Sequence, residues 1–194
     1  MYRIKVKQLT SGNELSGKTI IADGSGGFIY KYPQIEKGIS FPVTPINGDL
    51  FYYLTNNILY QYDSGRSKWL SVEVISLLLG KATINQNTSG YFGVADVVHS
   101  STTGIIMPRN GTIISATLDN INNMGATRNV EIRVNNSESV KLTLSLLSGN
   151  KSVSVTDGDV NFNTGDFINA IAISNSTAPE LSNTTLLIKV AWRN

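Results

Sequence analysis

Cysteine is absent from these 194 residues, so disulfides and thiolate metal sites are both excluded. Charge is scarce as well, with Asp, Glu, Lys and Arg making up 15% against about 25% in an ordinary soluble domain. The net charge is +2, and no block of one sign occurs. A protein that neutralises several phosphates needs clustered Lys and Arg. The longest basic cluster is the alternating Arg3, Lys5 and Lys7, which reads as the wet face of a strand, so nucleic acid is not an expected partner. No run approaches the ~20 apolar residues of a membrane helix, and the opening MYRIKVKQL lacks the apolar core of a secretory signal. Membrane insertion is therefore not expected. Asn-x-Ser/Thr triplets at Asn87, Asn110, Asn175 and Asn183 follow from an abundance of those residues and predict nothing.

What is present is period-two alternation, the mark of strands with one buried face. It runs through Tyr2-Arg3-Ile4-Lys5-Val6-Lys7, Val130-Glu131-Ile132-Arg133-Val134 and Val140 to Leu146. It returns where Leu186, Ile188, Val190 and Trp192 share a face. Val72 to Leu79 is the best helix candidate, but it is short, ends at Gly80 and suits a buried strand equally well. Turn residues separate the runs: Asn56-Asn57, Asp63-Ser64-Gly65-Arg66, Asn135-Asn136, Ser148-Gly149-Asn150, Asp157-Gly158-Asp159 and Thr164-Gly165-Asp166.

The expectation is an all-β protein in three parts. Residues 1–45, with ADGSGG and Pro33, Pro42 and Pro45, form an extended attachment arm. Residues 46–72 form an aromatic β-hairpin connector. Residues 73–194 form a jelly-roll-like β-sandwich head, with strands near 73–79, 91–95, 111–118, 128–134, 138–147, 151–155, 167–174 and 185–193.

Three motifs invite chemistry. Gly12-Asn13-Glu14-Leu15-Ser16-Gly17-Lys18-Thr19 fits GxxxxGK[ST], but a phosphate loop needs a helix after it, and Ile20 to Gly27 cannot propagate one. It is expected to be a turn between strands. The single histidine, His99, has Asp96, Ser100 and Ser101 nearby, yet a catalytic triad joins distant segments, and no GxSxG elbow is present. Asp157, Asp159 and Asp166 lack the alternate spacing and closing Glu of a calcium loop. No catalytic residue, metal site or cofactor is expected, and the chain reads as a non-enzyme.

The hairpin supplies the candidate contact residues Tyr52, Tyr60, Tyr62 and Trp69. Tyr60 and Tyr62 share a face with Ile58, and Tyr52 is placed across from them. Exposed, these rings would offer a platform for sugars. Buried, they would hold together a hairpin that is marginal alone in water, against the head or a second subunit. Burial is the expectation.

The run DLFYYLTNNILYQYDSGRSKWLSV, then LLLGKATINQNTSGYF and TTGIIMPRNGTI, then VEIRVN, FNTGDFI and the closing Val190-Ala191-Trp192-Arg193, resembles a pattern of tailed-phage virion proteins. The resemblance covers roughly 49–194, leaves the arm unmatched and points to head fibres of crAss-like phages. It implies a decoration or fibre protein on the capsid surface with a trimeric head like those of the C1q and tumour-necrosis-factor type. Implied partners are two further copies of the chain and a capsid or other virion protein gripped by the arm. A tail-fibre or receptor-binding module gripping host surface glycans is the alternative. No active-site residues accompany the pattern.

Overall fold

The computed structural model describes residues 19–22, 25, 27–31, 35–94 and 97–193, and every described element is a strand. Near the start, β1 (Thr19–Ala22) and β2 (Phe28–Lys31) make an antiparallel pair. The chain then lays down β3 (Glu36–Gly38), β4 (Leu50–Tyr53), β5 (Ile58–Asp63) and the long β6 (Lys68–Ile84). Four short strands follow: β7 (Gly90–Tyr91), β8 (Gly93–Val94), β9 (Val97–Val98) and β10 (Ile105–Ile106). The remainder is β11 (Gly111–Asp119), β12 (Arg128–Val134), β13 (Lys141–Leu146), β14 (Ser152–Val155), β15 (Val160–Phe162), β16 (Phe167–Ala172) and β17 (Leu181–Arg193).

β1 and β2 stand as a separate pair; the other strands form two large sheets, which enclose the core. The smaller has the order β10-β16-β12-β13, with β7 also on β16. The larger runs β14-β11-β17-β6-β5-β4-β3. Alternation decides which side chains meet between them. Val130, Ile132, Leu144, Leu146, Ile168 and Ala170 come from the smaller sheet, and Ile113, Leu118, Leu186, Ile188, Val190 and Leu79 from the larger, all buried in one cluster. The all-β expectation holds, and the larger sheet joins hairpin and head. Strand β6 runs through residues 72 and 73 without a break, pairing β5 at one end and β17 along most of its length.

Two irregularities shape that sheet. Between Ile113 and Ser115 the β11–β17 register shifts by one residue, so Ile113 and Ala116 both face inward although three positions apart. The extra residue, Ile114, is a β-bulge. A second shift sets Ser71–Glu73 of β6 against Trp192 alone. There the Ser71 hydroxyl accepts a bond from the Trp192 N–H at 2.8 Å and donates to the Glu73 carbonyl at 2.5 Å, so a side chain replaces the missing ladder bond.

Four of the six predicted turns contain a left-handed residue. Asn57, Asn135, Asn136, Gly149 and Gly165 all take positive φ. In the β5–β6 turn the left-handed residue is Ser67 (φ 53°), one position past the predicted stretch.

Candidate interaction surfaces

The aromatic hairpin is packed through a ring that lies outside the predicted connector. Phe41 stacks on Tyr53 at 4.8 Å and on Trp69 at 5.1 Å, and meets Tyr60 edge-on at 5.2 Å. Phe51 and Tyr60 are each 1% exposed. Trp69 and Tyr62, 5.4 Å apart, are half-buried at the margin of the cluster. The register corrects one placement: Tyr60 faces Phe51 across the ladder, and Tyr52 faces Leu59. Tyr52 therefore lies on the opposite face from Tyr60 and Tyr62. Of the four candidates, Tyr60, Tyr62 and Trp69 come together and Tyr52 stands apart. Phe41 carries no sequence signal, since a lone ring among Pro42, Pro45 and Gly38 has no periodicity to place it.

The hairpin is stapled to the head by the polar residues of its own turn. Arg66 donates to the carbonyls of Gly158 (2.7 Å), Ile114 (3.2 Å) and Thr156 (3.4 Å), and pairs with Asp63. The carbonyl of the bulged Ile114 thus finds its partner in a side chain 48 residues away. Burial alone would push the Asp63 carboxyl up, but bonds from Arg66 outweigh it and hold the pKa below the ordinary value. Lys68 reaches Asp159 at 2.6 Å and Asn161 at 3.0 Å. The turn residues Gly158 and Asp159 are therefore clamped by the hairpin.

At the same end, the three motifs of the head converge. Gly111 pairs with both Phe162 and Trp192, and a Cβ there would lie 2.4 Å from the Phe162 ring. Asn110 accepts from the Thr164 N–H at 2.9 Å, and the Met107 N–H donates to the Asp166 carbonyl at 2.8 Å. Arg193 closes the group on the Gly111 and Phe162 carbonyls and on Asn163. The stretches MPRNGTI, FNTGDFI and VAWR are one structural knot, recognisable singly in the sequence but not as neighbours.

The outward face of the larger sheet is broad and nearly uncharged. Rows across it read Leu78–Leu187–Thr117–Ser154, Ser76–Lys189–Ser115 and Gly80–Thr185–Asp119–Ser152. Val72, Val74 and Leu78 are 50%, 41% and 60% exposed, and Val94, Val97 and Val98 of the β8–β9 hairpin continue the patch beside the β6 edge. Between Val72 and Leu79 that edge of β6 has no paired neighbour among the described residues. Val72 to Leu79 is thus a strand, as one reading of the sequence allowed, but with one face open.

The loud motifs resolve simply. Gly12 to Lys18 lie outside the described residues, as do Arg3, Lys5 and Lys7. Thr19 opens strand β1, where a phosphate loop would require a helix. His99 is 8% exposed, and burial lowers its pKa. Among the described residues its Nδ1 has no partner, and Ser100 bonds to Thr102 and Thr103; Asp96 lies outside the described residues. Asp166 accepts from the Asn163 N–H at 2.6 Å and from Asn135 at 2.7 Å, far from Asp159 in role.

No family model matches the chain, and no curated protein matches it. Among solved structures it is similar to PRD1 vertex protein P5, with a TM-score of 0.38 and 13% identity over 61% of this chain and 96% of that chain. A likeness at that score carries no argument about function.

Proposed function

We propose that this chain is a structural subunit of a tailed-phage virion, a head fibre exposed on the capsid surface and assembled as a homotrimer. The observation that carries the assembly is the outward face of the larger sheet. Large apolar side chains stand there among Ser, Thr and Gly, a composition suited to burial against a second copy. Charge complementarity favours that occupant. Lys189 and Asp119 are on this face without ion-pair partners among the described residues; Lys189 of β17 lies opposite Ser115, four residues before Asp119 on β11, which separates the two by roughly 14 Å. In a closed ring, Lys189 of one copy can meet Asp119 of the next. The order of motifs from 49 to 194, resembling phage virion proteins, supports the setting. The arm, largely outside the described residues, would grip a capsid protein.

Light scattering on the purified chain at micromolar concentration tests this. The expected mass is three times the 21.0 kDa of one chain. Leu78→Asp with Leu187→Asp should give monomers of unchanged circular dichroism. A monomeric wild-type chain would overturn the trimer.

The alternative, a tail-fibre or receptor-binding module for host surface glycans, is favoured by one feature: a polar groove between the hairpin and the head that the staples leave open.

A further inference from the structure

The groove has a volume of about 430 Å³, within the range of small-ligand sites. Its walls come from the tip of the hairpin (Asn56, Tyr60), the 109–110 corner and the end of β17 (Trp192, Arg193). The groups that hold the knot together also fix these walls. Asn110 is pinned by Thr164, and Arg193 by Gly111, Phe162 and Asn163. Trp192 meets Phe162 edge-on at 6.4 Å and stays half-buried.

Several donors remain uncommitted. Arg109 is exposed, and among the described residues its guanidinium has neither a hydrogen bond nor an ion pair. Tyr60 lies behind it, almost fully buried; burial raises the pKa of its hydroxyl, which accepts from Asn56 at 2.8 Å. Among the described residues, the side-chain amide of Asn110 and the Nη1 of Arg193 also have no acceptor. The lining contains two arginines and no carboxylate. An unpaired guanidinium presents a flat fork of donors that matches a carboxylate. The indole beside it offers the apolar surface on which the C–H face of a pyranose packs.

We infer that this groove binds an acidic saccharide, with Arg109 gripping the sugar carboxylate, Trp192 lying against the ring, and the side-chain amides of Asn56 and Asn110 lining its hydroxyls. This deepens the receptor-binding reading and rests on it; the trimer is not required. Glycan-directed contact then falls at the hairpin–head junction, away from Tyr52 and from the open sheet face.

The test is titration of the full-length protein with glucuronic acid and N-acetylneuraminic acid, followed by NMR. Glucose and galactose serve as neutral counterparts and sulfate as a bare anion. Acidic sugars should bind at millimolar concentration or better, at least tenfold tighter than neutral ones. Arg109→Gln should lose tenfold or more, with Arg109→Lys in between. Because Arg109 has no structural bond, both variants should melt with the wild type. If acidic sugars bind Arg109→Gln as tightly as the wild type, the groove is wrong while receptor binding stands. If sulfate competes as well as the sugars bind, the site is a plain anion site and the inference falls. If no sugar binds the wild type, the inference and the receptor reading fall together.

Discussion

Replacing Arg66 with Met keeps most of the side-chain volume and removes every donor, leaving the carbonyls of Gly158, Ile114 and Thr156 without this partner. A bond from a charged donor contributes about 1.5–3 kcal/mol when well buried. Only the bond to Gly158 is short, at 2.7 Å, and the side chain keeps 19% exposure, so solvent screening reduces the sum. The expected loss is about 2–3 kcal/mol. With a urea dependence of roughly 2–3 kcal/mol per molar, the unfolding midpoint should fall by about 1 M. The two tryptophans report from either side of the staple: Trp69 sits in the hairpin cluster, and Trp192 at the end of the head. Trp192→Phe and Trp69→Phe backgrounds separate the two signals. In Arg66→Met the Trp69 signal should move first, because the hairpin loses its hold on the 156–161 loop. A midpoint within about 0.3 M of wild type in both backgrounds would refute the claim that these bonds fasten the hairpin to the head.

Phe41→Ala should destabilise by about 2–3 kcal/mol, read as a lower melting temperature with a red-shifted Trp69 emission, since the ring stacked on that indole is removed. Gly111→Ala should cost about 3 kcal/mol or more, because its Cβ would lie 2.4 Å from Phe162 and 2.8 Å from the Ala191 carbonyl; near wild-type stability in denaturant would contradict the close packing of the knot. Burial pushes the Glu131 carboxyl up, but Lys141 and Arg133 outweigh it, so the pKa falls below the ordinary 4.5. The unfolded chain therefore takes up the proton first, and this stabilisation is present above about pH 4.5 and lost as pH falls through the folded value. Melting scans from pH 6 to 3 should show a shallower acid decline for Glu131→Gln. His99, its pKa lowered by burial, resists protonation in the fold, so stability should also drop as pH falls below 6.5, and His99→Gln should remove that component.

The sheets were legible wherever one face alternates. Val130–Val134 and Leu142–Leu146 read directly as strands because inward Val, Ile and Leu interleave with Glu, Arg, Thr and Ser. Boundaries failed where polar residues extend a strand. β17 begins at Leu181, through Ser182, Asn183 and Thr184, and not near 185, because Asn120 holds Ser182 and Thr184 in place. The stretch near 91–95 is two short strands, β7 and β8, which join different sheets around the buried Phe92. The register of Tyr52 was beyond reach, since one residue of slip exchanges the faces and four consecutive apolar residues, Leu50–Tyr53, give no phase. The staples and the groove depend on partners some 50 to 90 residues apart, which no local pattern encodes.

The bulge at Ser71 has a mechanical consequence. A bulge bends the strand that carries it and would ordinarily make a soft point in a sheet. Here the elbow is pinned from within by the Ser71 hydroxyl and braced from outside by Arg66 and Lys68. The orientation of strands β3–β5 on the head is therefore decided by how the head itself folds, so the two parts move as one lever and not as links of a chain.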